Sequence, residues 1–232
     1  MASPDPANPP APQKQALLYA LGVALLAVAG WVDAVGFVHW GGTFSSFMSG
    51  NTTHLGVAVT QGQGAAIEKL FGVMAAFVAG VITGESLRAL AGRWHRTAVL
   101  AWEALVLAVA TALAFRSDGT VILLLLSFAM GTQNAVIHRA EGIGIALTYV
   151  TGTLVHLGRV LASTLAGGGD WNEVFKYAGL WLALAAGAFA GGFTAGKSAP
   201  LAIAVACGLL LVFLIISIML GPSAGPGRGA SD

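Results

Sequence analysis

Charged residues are scarce in this sequence: Asp, Glu, Lys and Arg together make up 9% of the 232 residues. Apolar residues make up 56%, and the mean hydropathy is +0.81. A soluble globule of this length needs far more polar surface than such a composition supplies. The composition therefore argues against a soluble protein and predicts an integral membrane protein.

Only one cysteine is present, Cys207, and it lies in an apolar run. An internal disulfide is excluded, and no CxxC or HxxxH spacing indicates a metal site. The 11 basic and 10 acidic residues give a net charge of +1, in short clusters without a basic stripe. We therefore predict no metal, no cofactor and no nucleic-acid partner.

A recognisable catalytic frame is also missing. Intramembrane proteases need a nucleophile in a defined arrangement, such as Ser with a spaced His, or paired Asp residues. Neither pattern is visible in the sequence. We therefore predict that the protein is not an enzyme.

Long apolar runs, by contrast, are abundant. A helix that spans a bilayer needs roughly 20 mostly apolar residues. Six runs meet this requirement and predict an all-α, polytopic membrane protein: residues 16–38, 70–90, 97–115, 120–137, 175–196 and 201–220. The Pro- and Ala-rich residues 1–15 and the terminal residues 221–232 are predicted to be disordered tails, which leaves residues 16–220 as a single membrane domain.

Two further segments are long enough to cross a membrane but are unusually rich in Gly, Ser, Thr and His. The first motif segment, residues 44–60, contains FSSFMSGNTTHLG, and the second motif segment, residues 143–165, contains LTYVTGTLVHLG. A shift of 102 residues lays Gly50 on Gly152 and His54 on His156. These segments are either full spans or re-entrant helices.

The sequences that flank the two motif segments match as well. GWVDAV at residues 30–35 lies on GTQNAV at residues 131–136, and FVAGVITGE at residues 77–85 lies on FAGGFTAGK at residues 189–197, at a shift of 112. Three matches in the same order predict an internal duplication of residues 16–115 and 120–220. The chain is thus predicted to consist of two pseudo-repeated halves; the alternative is chance matching of Gly and Ala in a Gly-rich membrane sequence.

The number of spans depends on the two motif segments. The cluster of Arg88, Arg93 and Arg96 places its loop in the cytoplasm, because Lys and Arg concentrate in cytoplasmic loops. If both motif segments cross, there are eight spans and the halves are parallel; if both are re-entrant, there are six and the halves are inverted. The positions of the remaining basic residues favour six, whereas the length of the second motif segment favours a crossing.

Ionisable side chains inside a span mark functional sites by default. Asp33 is the main candidate, and its counterpart Asn134 has the same shape without the charge. The alternative is that Asp33 caps the motif helix or binds Ser and Thr hydroxyls. Glu85 is expected to pair with Arg88 along its helix, whereas Glu103 lies inside a span and either snorkels or faces the interior.

The predicted substrate-binding residues occupy matched places in the two copies. The two histidines either relay a proton or pack through hydrogen bonds, and Asn51 could break its helix locally. The complete set is Asp33, Ser46, Ser49, Gly50, Asn51, His54, Asn134, Thr148, Thr151, Gly152 and His156.

These motifs resemble those of the YoaK-like bacterial inner-membrane proteins, a family of unknown function. Its members carry GxxDA, SxMTGN and GxQNA followed by TGT; here the corresponding stretches read GWVDAVGF, FSSFMSGNTTHLG, GTQNAV and TYVTGTLVHLG. The resemblance runs from about Leu17 to Leu220, and Ser49 stands where the family usually has Thr. It implies a multi-pass protein of the bacterial inner (plasma) membrane and supplies no substrate.

The leading hypothesis is a secondary transporter or permease for a small polar solute, with its site between the two motif segments. A passive channel and a non-transporting scaffold or assembly subunit are the alternatives. The expected partners are the lipid bilayer and an unidentified small polar solute, and a homo-oligomer is left open.

Overall fold

A computed structural model of the protein describes residues 12–136 and 150–222, and all structural statements below refer to these residues. They form eight α-helices and no strand, which confirms the predicted all-α class. In chain order the helices are α1 (Pro12–His39), α2 (Met48–Thr60), α3 (Gly64–Ala91), α4 (His95–Ala114), α5 (Thr120–Gln133), α6 (Val150–Leu165), α7 (Trp171–Ala195) and α8 (Ala199–Met219). A short 3₁₀ turn, Gly92–Trp94, joins α3 to α4.

Each of the six predicted spans falls on a separate helix, and α5 is the shortest of the six. Four stretches of the described residues are long and apolar enough to cross a membrane: Ala16–His39, Gly64–Ala114, Trp171–Ala195 and Ala199–Met219. The second of these contains α3, the 3₁₀ turn and α4, and α5 is a shorter apolar helix of 14 residues. The protein is therefore a multi-pass membrane protein.

Four helix ends differ from the expected boundaries by four residues or more. Helix α1 begins at Pro12, so residues 12–15, expected in the tail, are helical. Helix α3 begins six residues before the expected residue 70, and α7 begins four residues before the expected residue 175. Helix α5 ends at Gln133, before the expected end at residue 137, which lies outside the described residues.

Helices α1 and α7 form the most extensive helix pair of the described residues. The two helices run parallel. The Tyr19 hydroxyl donates to the Lys176 carbonyl (2.7 Å) near the start of both helices, and His39 Nε2 contacts the Ala195 carbonyl (2.8 Å) near their ends. The helices α3 and α5 form the second extensive pair.

Helices α3 and α5 are also parallel, because contacts advance along both in step. Gly80 lies against the backbone of Phe128, and one turn later Gly84 lies against that of Thr132, whose carbonyl oxygen would be 2.8 Å from an added Cβ. Helix α1 runs in the opposite direction to α5, and therefore also to α3. Gln133 Nε2, at the end of α5, donates to the carbonyl of Leu25 (2.8 Å), in the middle of α1. Leu123, near the start of α5, lies 3.5 Å from an added Cβ on Gly36, near the end of α1.

The end of α1 consequently lies beside the start of α3. Lys69 Nζ, in the second turn of α3, donates to the Trp40 carbonyl just after α1 (2.8 Å). Helix α2 has 13 residues, or about 20 Å, which is shorter than the roughly 30 Å hydrocarbon core. The first motif segment thus starts at the end of α1 and finishes at the start of α3, and these two helix ends lie side by side.

Helices α4 and α8 pack in opposite directions. The Cys207 thiol donates to the Ala104 carbonyl (3.6 Å), and Arg96 Nε donates to the Ser217 hydroxyl (3.0 Å). Arg96 is 3% exposed, so this residue, assigned to a loop from the charge cluster, is a buried part of the first turn of α4. Its position ties the end of α8 to the start of α4.

Candidate functional site

The chain reverses direction directly after α1. Gly41 and Gly42 both adopt positive φ angles (64° and 75°), a conformation that glycine reaches without steric cost. The loop of residues 43–47, called the descending loop below, runs back along α1 as far as Asp33. Since Asp33 lies six residues before the end of α1, this descent covers about 9 Å.

Asp33 binds the tip of this descending loop. Its Oδ1 accepts hydrogen bonds from the backbone N–H groups of Ser45 (2.7 Å) and Ser46, and its Oδ2 accepts from the Ser46 hydroxyl (2.6 Å). Ser45 and Ser46 are buried. The interpretation of Asp33 as a residue that holds the start of the motif helix accounts for these three bonds.

Asn51 fixes the same loop from the first turn of α2. Its side chain is fully buried and pairs with both backbone groups of Phe44: Oδ1 accepts from the N–H (3.0 Å) and Nδ2 donates to the carbonyl (2.7 Å). Asp33 and Asn51 together hold residues 44–46 in a non-helical conformation. The expectation that the motif helix begins at residue 44 is therefore wrong, because α2 begins at Met48 and Ser46 precedes it.

The other predicted residues of the first copy lie away from this tip. Ser49 and His54 are exposed, and the His54 ring is 6.2 Å from that of Phe44. Gly50 is partly buried and faces the rings of Phe47 and Phe44, which an added Cβ would meet at 2.5 and 3.1 Å. The close contacts of Gly50 are therefore with side chains of its own segment.

In the second copy, Thr151 and Gly152 lie in the first turn of α6, the former exposed and the latter buried. His156 is exposed and stacks on Tyr177 of α7, with ring centroids 5.5 Å apart and an interplanar angle of 10°. Asn134 follows α5 and donates from Nδ2 to the carbonyls of Met130 (3.0 Å) and Gly131 (3.2 Å). Thr148 lies outside the described residues.

A cavity of about 590 Å³ opens beside Asp33. It lies between α1, the descending loop, the start of α6 and α7, so both motif segments contribute to it. Of the predicted site residues, Asp33, Ser46 and Thr151 line it; they are its polar members. The other predicted residues that the structure describes do not line it.

Aromatic side chains form much of the rest of this cavity. Phe37 of α1 and Phe44 and Phe47 of the loop line it, and α7 contributes Leu184 and small residues. Sequence reasoning passed over these phenylalanines because aromatic residues in a span are normally lipid contacts or packing. Their nearness to Asp33 in the sequence was the available signal.

The described residues contain no group of three or more His, Cys, Asp or Glu side chains that could hold a metal ion. Glu85 and Arg88 form the expected ion pair along α3, with 3.1 Å between Oε2 and Nε. Both side chains are more than 40% exposed, so this pair contributes about 1 kcal/mol at most.

Comparison with known proteins agrees with this architecture. The model of a protein family described as "Protein of unknown function (DUF1275)" matches residues 21–216. A relative from Rhizobium meliloti (strain 1021), "UPF0700 transmembrane protein RA0705", is 34% identical over 178 residues, which cover 72% of this chain and 73% of the relative.

A second relative, "UPF0700 transmembrane protein YoaK" of Bacillus subtilis (strain 168), is 30% identical over 140 residues, covering 57% of this chain and 62% of the relative. No solved structure matches this chain. The chain belongs to the DUF1275 family and is YoaK-like, as its motifs predict.

Proposed function

We propose that this protein is a secondary transporter built from two inverted repeats, with the cavity beside Asp33 as its substrate site. The matched glycine contacts of the two extensive helix pairs carry the proposal. An added Cβ on Gly30 of α1 would meet the backbone of Leu184 and Ala188 of α7, and on Gly131 of α5 it would meet that of Phe77 and Val81 of α3.

The reciprocal contacts match in the same way. Gly187 and Gly191 of α7 face the backbone of Ala27 and Trp31 of α1. Their counterparts are Gly80 and Gly84 of α3, which face Phe128 and Thr132 of α5. All these contacts correspond when α1 is shifted by 101 residues onto α5 and α3 by 107 onto α7. The contacts therefore favour a shift of 107 residues between α3 and α7 over the shift of 112 residues that the sequence match predicted.

The directions of the helices support inverted halves. Helices α1 and α5 are counterparts and run in opposite directions, as the contacts at both ends of α5 indicate. Inverted repeats with interrupted helices near the substrate site are a recurrent design of secondary transporters. In this arrangement six helices cross and the motif segments are re-entrant, which favours the six-span alternative over eight.

The lining of the cavity suggests the class of solute. A volume of about 590 Å³ is within the range of small-molecule sites. Three aromatic rings and several aliphatic side chains surround one carboxylate, one hydroxyl from Ser46 and one from Thr151. We propose a small amphipathic solute with an apolar body and one polar group, a narrower class than the small polar solute inferred from sequence.

Asp33 suits a hydrogen-bond donor on that polar group. A carboxylate offers about four acceptor positions; the loop fills three of them, and the backbone N–H of Phe47 is directed at the same carboxylate. A protonated amine is therefore favoured over a neutral hydroxyl, because the negative charge attracts it even where few acceptor positions remain. A passive channel, by contrast, needs a continuous polar path, and the apolar lining argues against one.

The test uses purified protein and a library of small amphipathic amines and alcohols. Compounds that raise the melting temperature are then tested for counterflow uptake in proteoliposomes. Ala188→Phe fills the cavity and is expected to abolish both responses, whereas Ala186→Phe, the same change at an exposed position two residues away, is the matched control. Equal responses in both variants would refute the location of the site, and no response to any compound would favour the scaffold alternative.

A further inference from the structure

Glu103 is a buried acidic residue that the proposed transport site does not use. It is 0% exposed, and neither carboxyl oxygen has a hydrogen-bond partner among the described residues. It lies eight residues after the start of α4, about 12 Å into a helix of about 30 Å. It is therefore near the middle of the helix and does not snorkel.

The elements that pack against α4 offer this carboxyl no positive charge at that depth. Helices α5 and α8 contain no Asp, Glu, Lys, Arg or His over Thr120–Gln133 and Ala199–Met219. Titratable groups elsewhere on the packed elements lie within the first two or last two turns of α3, in the 3₁₀ turn or in the first turn of α4: Glu68, Lys69, Glu85 and Arg88 of α3, Arg93 of the 3₁₀ turn, and His95 and Arg96 of α4.

Arg96 lies on the same face of α4 as Glu103, two turns earlier, but it is engaged elsewhere. Its guanidinium donates to the Ser217 hydroxyl (3.0 Å) and to the Gly221 carbonyl (3.0 Å). The thiol of Cys207, the titratable group of α8, donates to the carbonyl of Ala104. None of these groups pairs with Glu103.

An unpaired ionised carboxylate in a water-free interior costs far more than a neutral acid, so the group binds a proton instead. We propose that Glu103 is a reversible proton-binding site: its carboxylate takes a proton from water to give the neutral acid, and returns it to water by the reverse step. The polar groups of the α4 and α8 interface that lie toward the start of α4 are Arg96, Thr97 and Ser217, about two turns from Glu103, and we assign proton exchange to this side. The assignment holds whether or not the protein carries a solute.

Infrared spectroscopy of the purified wild-type protein tests this assignment. A protonated carboxyl absorbs separately from carboxylates and from the amide band, and it shifts when the proton is exchanged for deuterium. The wild-type protein at neutral pH is expected to show such a band, and the band is expected to shift after incubation in D₂O. A band that never shifts would overturn the proposal, because it would mark a sealed acid.

Substitutions show which residue gives rise to the infrared band. Glu103→Gln is expected to remove the band, whereas Glu85→Gln, which removes an exposed acid from the neighbouring helix, is expected to retain it. Should Glu103→Gln fail to fold, Glu103→Asp keeps the acid and is expected to move the band without removing it. The proposal is wrong if the wild-type protein lacks the band, or if the band is unchanged in both variants of Glu103.

Discussion

The contacts of Asp33 predict two very different outcomes for two substitutions at that position. In Asp33→Ala, the buried backbone N–H groups of Ser45 and Ser46 lose their acceptor. In Asp33→Asn, the amide oxygen can accept from both N–H groups, and the amide nitrogen can donate to the Ser46 hydroxyl, which is able to accept. All three bonds then survive in a neutral form.

The expected magnitudes follow from these bonds. A buried donor left without a partner costs about 1–3 kcal/mol, so the two amides lost in Asp33→Ala cost about 2–6 kcal/mol. Hydrogen bonds to a charged group are roughly twice as strong as neutral ones, and we expect Asp33→Asn to cost about 1 kcal/mol. In proteins of this size 1 kcal/mol corresponds to about 2–4 °C in melting temperature.

The assay is thermal unfolding of the purified variants in one detergent. We expect a decrease of about 2–4 °C for Asp33→Asn and at least about 4 °C for Asp33→Ala. Asp118→Ala, which removes an exposed acid from the loop after α4, is the control and should be close to wild type. An Ala variant as stable as wild type would refute the anchoring role, and an Asn variant as damaged as Ala would show that the charge itself is required.

Three further predictions concern packing, the loop and orientation. Gly80→Ala forces a methyl group into the backbone of α5 and is expected to cost about 1–3 kcal/mol. Gly208→Ala, at a helical glycine with open space around it, should not lower the melting temperature, because Ala favours the helix more than Gly does. Equal stability of the two variants would contradict the close approach. Asn51→Ala should lower the free energy of unfolding by about 1–3 kcal/mol, and a smaller loss in a denaturant titration would argue against the paired backbone bonds. Arg93→Cys in a Cys207→Ala background should resist an impermeant thiol reagent added to intact cells, because the basic cluster predicts that its loop lies in the cytoplasm; ready labelling would reverse the orientation.

The long helices were predictable because a single requirement, the hydrogen bonding of the backbone inside the bilayer, dominates their formation. An apolar run of about 20 residues has to be helical in a bilayer, since its backbone groups find no other partner. Hydropathy therefore located each end of α1, α3, α4, α7 and α8 to within six residues. The first motif segment was harder, because its conformation depends on contacts with Asp33 in another helix and on a side chain, Asn51, that competes for the backbone of Phe44.

The candidate site was predicted in part. The alternative for Asp33, a bond to Ser hydroxyls near the motif helix, describes its observed contact with Ser46. Helical periodicity places residues on a common face but does not state which neighbour that face meets. For this reason His54 and His156, matched in the two copies, were grouped with a cavity that neither of them lines.

The central claim, inverted halves with re-entrant motif segments, is tested by the location of two loops. Gln61 follows α2 and Gly168 follows α6, and both are exposed. In a Cys207→Ala background, Gln61→Cys and Gly168→Cys are labelled with an impermeant thiol reagent in intact cells and again after permeabilisation. Inverted halves predict that the two positions lie on opposite sides of the membrane, with Gln61→Cys labelled from outside and Gly168→Cys labelled only after permeabilisation. Labelling of both positions from the same side would contradict the inverted repeat and favour eight spans.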